Sequence, residues 1–177
     1  MSCIVWNARG LIVKKNPSLV FIYETKIREH HSKNWKHILG FNGCFTVDCQ
    51  GKRGGLILMW KYPLNVIVKS FSMRHIDCYV EEGENKWRFT GFYGNPDSSS
   101  RQASWTLLRR LCNMDNMQGL PWLVGGDFNE VCYDSEKFGG QSRAFREVLE
   151  DCSLQDLYSE GEFFTWSRGQ QLNIRTP

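Results

Sequence analysis

The sequence predicts an α+β fold: a sandwich of two mostly antiparallel sheets with helices packed outside it. Three observations carry this. Many short segments read as strands, some alternating polar and apolar residues at period two, others continuously apolar. The first kind suits a sheet with one wet face, the second a strand covered on both faces. After a strand-rich first half, the order becomes helix, strand, helix, strand, which layers helices against sheets.

The elements follow along the chain. Cys3–Asn7 and Leu19–Glu24 are apolar runs that end in a polar residue. Glu29–Leu39 has helical spacing, with apolar residues at Trp35, Ile38 and Leu39 on an otherwise polar segment that carries His30, His31 and His37. Cys44–Asp48, Gly55–Trp60 and Val66–Phe71 read as strands. Ile76–Glu81 and Trp87–Phe92 alternate, and Gly83 between them marks a hairpin turn. Ser98–Met114 opens with serines suited to capping and places Trp105, Leu108, Leu111 and Cys112 on one stripe. Trp122–Asp127 is a further strand. Ser142–Cys152 is a helix with Phe145, Val148, Leu149 and Cys152 on one face, and Phe163–Trp166 closes the set as a strand.

Composition bounds the class. A chain of 177 residues with 41% hydrophobic and 23% charged residues is an ordinary globular domain, which excludes a disordered or collagenous protein and predicts one domain over 1–177. No apolar run approaches the roughly 20 residues of a membrane-spanning helix, and the N-terminus shows no signal-peptide pattern. Seven cysteines occur without a C-x-x-C pair or zinc spacing, which predicts reduced thiols in an intracellular protein. The net charge of +3 permits an acidic partner without demanding one.

Four segments place polar residues at strand ends, where open sheets put their sites. Trp6-Asn7-Ala8-Arg9-Gly10 delivers an amide beside a turn glycine. In Tyr23-Glu24-Thr25-Lys26, a carboxylate ends a buried run. A charge there must be paired, hydrated or metal-bound, and oxygen-type neighbours suit Mg²⁺. Tyr93-Gly94-Asn95-Pro96 offers a phenol and an amide, both able to bond a phosphate oxygen. Gly125-Gly126-Asp127-Phe128-Asn129 runs an apolar strand into two glycines that allow close backbone approach. If extended, it puts Asp127 and Asn129 on the same side, an acceptor beside a donor, as needed to orient a water against a phosphate.

Taken in order, Trp6-Asn7-x-x-Gly10-Leu11, Glu24-Thr25-Lys26, Tyr93-Gly94-x-Pro96, Gly126-Asp127-Phe128-Asn129 and Phe164-Thr165-Trp166 resemble the endonuclease/exonuclease/phosphatase superfamily. Within it, Trp-Asn-x-Arg-Gly-Leu, the Gly-Gly-Leu to Trp segment at Gly54–Trp60 and the His-Ile-Asp at His75–Asp77 resemble the apurinic-type endonuclease domain of plant LINE (non-LTR) retrotransposons. The resemblance implies a four-layer α/β sandwich that cleaves DNA phosphodiester bonds with Mg²⁺ or Mn²⁺. It implies Glu24 as metal ligand supported by Asn7, and Asp127 as the group that orients or deprotonates the attacking water. Asn129 and Tyr93 are then phosphate contacts, and Asn95, Arg9 and Trp166 substrate-binding residues. It further implies DNA as partner, a nuclear site of action and an ancestral reverse-transcriptase polyprotein.

The sequence also departs from the pattern. Arg9 stands where apurinic endonucleases carry an aspartate, and the stretch from Leu11 to Pro17 is too short for the family's first helix. The family's Arg-x-Asp strand and Ser-Asp-His-x-Pro segment have no counterpart here. The expectation is therefore a sandwich incomplete at its C-terminus, with hydrolysis impaired or lost and metal bound weakly. A non-catalytic nucleic-acid-binding remnant and a phosphatase of the same superfamily remain the alternatives.

Overall fold

Alternation and continuous apolar runs sort the strands into two sheets. The structure is a computed structural model and describes residues 3–6, 16–26, 28–51, 53–114, 119–130 and 142–155. Strands β1 (Cys3–Trp6), β2 (Leu19–Tyr23), β3 (Gly43–Val47) and β4 (Leu56–Trp60) form one sheet in the order β1-β2-β4-β3. Strands β5 (Asn65–Ser72), β6 (His75–Glu82), β7 (Asn85–Tyr93) and β8 (Trp122–Asp127) form the other in the order β5-β6-β7-β8. Neighbours pair antiparallel except β1 with β2 and β7 with β8, which run parallel.

The sheets pack face to face, with β1 and β2 over β8, β4 over β6 and β3 over β5. Leu19, Phe21, Leu56, Leu58, Ile76, Cys78, Val80 and Phe89 are buried between them. The alternate residues of β2 and β4, Val20, Ile22, Ile57 and Met59, are buried on the outer face against Trp35 and Leu39, beside helix α1 (Glu29–Ile38). Cover on both faces is why these strands are apolar throughout. Ile38, expected on the apolar side of α1, is instead 80% exposed.

On the outer face of the second sheet, Phe92, Trp122, Val124 and Phe128 pack against Trp105 and Leu108 of helix α2 (Arg101–Cys112) and Phe145, Val148 and Leu149 of helix α3 (Ser142–Asp151). The molecule is thus a mixed α/β protein with two sheets and helices on their outer faces. The serines ahead of α2 do not cap it as expected. They form a 3₁₀ turn at Ser98–Ser100, where Asp97 accepts from the Ser99 N–H, and Ser100 makes no side-chain cap bond. Ser104 Oγ instead accepts from the Asn95 N–H at 2.8 Å.

Two features fix the strands beneath the candidate site. Gly91 lies under the Phe21 ring, and a Cβ there would come 2.3 Å from Phe21 Cδ2, so glycine allows the close approach of the sheets. On the outer face, Asp77 is fully buried and takes the Arg88 guanidinium through Nε at 2.9 Å and Nη2 at 3.2 Å. Thr90 Oγ1 donates to the same carboxylate and accepts from Trp122 Nε1 at 2.8 Å. Arg88 Nη2 also donates to the Leu111 carbonyl at 2.9 Å, tying β6 and β7 to the end of α2.

Candidate functional site

The parallel pairing of β7 with β8, and the packing of β2 over β8, bring the C-terminal ends of the three strands to one end of the sandwich. Tyr93 pairs in register with Asp127, and Gly94 N donates to the Asp127 carbonyl at 2.7 Å. A Cβ on Gly126 would stand 1.7 Å from the Phe92 carbonyl oxygen, and one on Gly94 1.9 Å from that of Phe128. The close backbone approach read from the Gly125-Gly126 pair is present at Gly126. From the other sheet, Glu24 follows β2 with φ 53°, and its loop is held by Thr25 N and Lys26 N donating to the carbonyls of Gly55 and Gly54 at 3.1 and 3.0 Å.

The two sheets meet through Tyr93 and Glu24. The Tyr93 hydroxyl donates to Glu24 Oε1 at 2.6 Å, and the Tyr93 ring stacks on Tyr23 with centroids 5.4 Å apart and planes 15° from parallel. Tyr93 is buried, whereas Glu24 is exposed at the mouth. Burial raises the Tyr93 phenol well above its ordinary pKa, reinforced by the bond to Glu24 and the charges of Glu24 and Asp127. Burial likewise raises Tyr23, again with Asp127 and Glu24. Both carboxylates therefore act on one pair of phenols, which stay protonated as donors across the neutral range.

Asp127 and Asn129 come together by a different route from the one expected. The segment is not extended, because β8 ends at Asp127 and Asn129 has φ 54°. The turn lets Asn129 N donate to Asp127 Oδ1 at 2.8 Å, while Asn129 Nδ2 donates to the Gly94 carbonyl at 2.8 Å. An asparagine tolerates this left-handed conformation and bonds locally in such turns. One of its two amide hydrogens is left for another acceptor. The Asn95 side-chain carbonyl accepts from Asp97 N in its own loop at 3.2 Å and from Arg74 Nη2 of the β5–β6 turn at 3.4 Å. Asn7, Arg9 and Trp166 lie outside the described residues, as does the strand expected at Phe163–Trp166.

Some neighbours of the site carried no sequence signal. Arg74, in the β5–β6 turn, lies with its guanidinium 5.2 Å from the centre of the Tyr93 ring. Glu130 accepts from Trp105 Nε1 at 2.9 Å and stands 3.7 Å from Arg101 Nε, anchoring the residue after Asn129 to α2. Only the position of Arg74 beside the His-Ile-Asp segment could have drawn attention to it. His75, whose partner the sequence left open, is buried between Ser72 Oγ at 2.8 Å from Nδ1 and Ser70 Oγ at 3.0 Å from Nε2. A bulge between Val68 and Ser70 shifts the register so that Ser72 stands opposite His75.

The donor set bears on a metal ion. Glu24 and Asp127 each give one oxygen to a hydrogen bond from a described residue, and neither second oxygen has such a partner. Hard carboxylate oxygens of this kind fit a small divalent cation that keeps several waters and takes one or two carboxylates. Among the described residues, no group of three or more His, Cys, Asp or Glu side chains is placed to hold a metal.

Comparison with known proteins gives these strand ends a context. A sequence model of the Endonuclease/Exonuclease/phosphatase family matches residues 4–175. The search among curated proteins found no match. Among solved structures, the chain is similar to the endonuclease domain of TRAS1, a telomere-specific non-LTR retrotransposon, at 13% identity and a TM-score of 0.60, over 85% of this chain and 70% of that one. It is similar to the AP endonuclease LMAP from Leishmania major at 14% identity and a TM-score of 0.59, over 85% of this chain and 66% of that one. It is also similar to humanized D. rerio TDP2 at 17% identity and a TM-score of 0.55, over 77% and 68%. Identities this low speak for the fold alone, and the chain spans about two thirds of the length of these structures. With a family match running over nearly the whole sequence and the same fold in those structures, the chain belongs to the endonuclease/exonuclease/phosphatase family.

Proposed function

We propose that this chain carries the site of a divalent-metal-dependent phosphodiester hydrolase acting on DNA, of the retroelement endonuclease kind. The observation that carries the reading is the Tyr93–Glu24 bond across the two sheets, with Asp127 in register beside Tyr93. The likeness to the TRAS1 endonuclease domain and to an AP endonuclease supports the choice of DNA. The two packed sheets with outer helices correspond, in this reading, to the family's four-layer sandwich. A nuclear site of action and a place ahead of a polymerase in a longer polyprotein follow from the same reading.

Glu24 would hold Mg²⁺ or Mn²⁺, with Asn7 in support. The ion would supply positive charge to the phosphate and the leaving oxygen. Asp127 would orient the attacking water and take its proton as the water oxygen closes on phosphorus in line with the leaving sugar oxygen. The turn that binds Asn129 N to Asp127 Oδ1 fixes the direction of that carboxylate. The remaining Asn129 amide hydrogen would serve as a donor to a phosphate oxygen, and the protonated Tyr93 phenol keeps Glu24 in place. Arg9, Asn95 and Trp166 extend the contact along the substrate.

Residues 1–177 contain no counterpart of the family's Ser-Asp-His segment, and loss of a single transition-state donor typically costs about 10²–10³ in rate. These residues alone are therefore proposed to bind DNA more readily than they cut it. Relaxation of supercoiled plasmid with Mg²⁺ tests the reading, using this chain and a version extended by the C-terminal segment of a full-length family member. The extended protein should nick, and Asp127→Ala should abolish the nicking. A folded extended protein that binds and cuts no DNA would refute the assignment.

A further inference from the structure

We propose that Cys112 and Cys152 are a redox-sensitive pair that closes to a disulfide between the C-terminal ends of α2 and α3. Cys112 is the last residue of α2, and Cys152 follows α3 directly. Arg109, near the end of α2, bonds Asp151 at 2.7 Å, so an ion pair already draws these two ends together. Leu108, Phe145, Val148 and Cys152 are buried in one cluster, and Cys112 packs against it. There Cys112 Sγ lies 3.8 Å from the Cys152 carbonyl oxygen, and the two thiols bond to each other. A thiol that reaches both the backbone and the sulfur of its partner is close to the span that a disulfide bridges.

The pair is asymmetric. Cys152 is 4% exposed, whereas Cys112 is half-buried and open to a small reagent. Burial, and then the neighbouring Cys112 thiol, pushes the Cys152 thiol up to about 12, so Cys152 rests protonated. Cys112 therefore starts the exchange. Its thiolate attacks one sulfur of a small disulfide such as oxidised glutathione, and one glutathione thiolate leaves. Cys152 then gives up its proton, attacks Cys112 Sγ and expels the second glutathione. Two protein thiols have lost two electrons and two protons, and one small disulfide has become two thiols. The cysteines are 40 positions apart, and the loop they close holds β8 with Asp127 and Asn129. A disulfide across it restricts chiefly the unfolded chain. In a reducing compartment such a pair is a switch rather than a permanent staple. Cys78, by contrast, is sealed between the sheets with its thiol on the Phe89 carbonyl at 3.5 Å.

The test is oxidation of the folded full chain with a series of oxidised-to-reduced glutathione ratios at neutral pH, quenched in acid and read by thiol counting and peptide mass mapping. Two of the seven thiols should be lost, the peptides of Cys112 and Cys152 should appear cross-linked, and a dithiol should reverse the change. The oxidised chain should unfold in urea at a midpoint higher by up to roughly 2 M, set by the freedom lost on closing a loop of this length. Cys152→Ala should trap Cys112 as a mixed disulfide with glutathione. Cys112→Ser, a change at the more exposed position, should leave the buried Cys152 free. A folded wild-type chain in which both thiols stay free at the most oxidising ratio, or in which Cys112 keeps its glutathione, overturns the proposal. So does a cross-link that leaves the urea midpoint unchanged or lowered, since the pair then closes only by distorting the fold.

Discussion

Replacing one member of the buried Asp77–Arg88 pair should cost far more than replacing both. The two side chains are 0% and 2% exposed, and Asp77 takes two bonds from Arg88 and one from Thr90. Asp77→Leu strands a buried guanidinium, and Arg88→Met strands a buried carboxylate. Breaking a buried pair in this way typically costs about 3–5 kcal/mol. Arg88→Met also removes the donor from the Leu111 carbonyl, an unsatisfied group worth about 1–3 kcal/mol. The double variant leaves no buried charge, and such apolar replacements are often neutral or even stabilising. Its cost should therefore be near that of the two groups left without partners, the Leu111 carbonyl and the Thr90 hydroxyl that donated to Asp77. With a urea m-value of about 2 kcal/mol/M, each single change should lower the midpoint by roughly 3 M, the broken pair and one orphaned group together, and the double by less than half the sum. Urea unfolding at neutral pH reads all four proteins. Single variants within about 0.5 M of wild type by the same conversion, or a double variant whose loss equals the sum, would refute the reasoning.

Other outcomes follow from the same geometry. Gly91→Ala should destabilise by about 1–3 kcal/mol through overpacking against Phe21. It should also weaken metal binding by pushing β2 away from β7, and a variant with wild-type stability in urea contradicts this. Burial and the charges of Arg110 and Arg88 lower His75 to about 4, so the folded state resists the proton that the unfolded chain accepts. Its contribution is complete above an unfolded pKa of about 6.5 and is lost as pH falls toward the folded value. Stability measured from pH 7 down to 4 should fall less steeply in His75→Gln, and identical acid profiles would count against the buried imidazole. At the alkaline end the sign reverses. The raised phenol of Tyr93 favours the fold below an unfolded pKa of about 10, and this is lost as pH rises beyond it. Tyr93→Phe should flatten that loss, and tyrosinate absorbance should show late-titrating phenols in the wild type only if the account is right.

Much of this molecule could be read from its residues because burial imposes pattern. Leu19–Tyr23 and Leu56–Trp60 are apolar throughout because each is covered by the other sheet on one side and by the α1 layer on the other. Phe145, Val148, Leu149 and Cys152 share a stripe because α3 has one buried face. What pattern does not encode is partnership. Nothing in Cys3–Trp6 or Trp122–Asp127 marks a parallel register, and the second of these registers brings Tyr93 level with Asp127. The turn at Asn129 escaped because Asp-Phe-Asn is compatible with an extended strand. The left-handed form comes with the bonds from its N–H to Asp127 Oδ1 and from its Nδ2 to the Gly94 carbonyl, which no pattern of residues announces. Arg74 escaped because a lone arginine in a hairpin turn looks like solvated charge until the Tyr93 ring is seen beneath it.

The measurement closest to the central claim is amide NMR of the chain during titration with Mn²⁺, whose unpaired electrons broaden nearby signals. If Glu24 holds the cation at the end of the sandwich, with Tyr93 and Asp127 beside it, broadening should centre on Glu24, Tyr93, Gly94 and Asp127 together, although they lie at the ends of three strands of two sheets. Affinity should be weak, because one or two carboxylates leave most of the coordination to water. Glu24→Ala should weaken the effect at all of these positions at once. Broadening centred elsewhere, or undiminished by Glu24→Ala in a folded protein, would contradict the account.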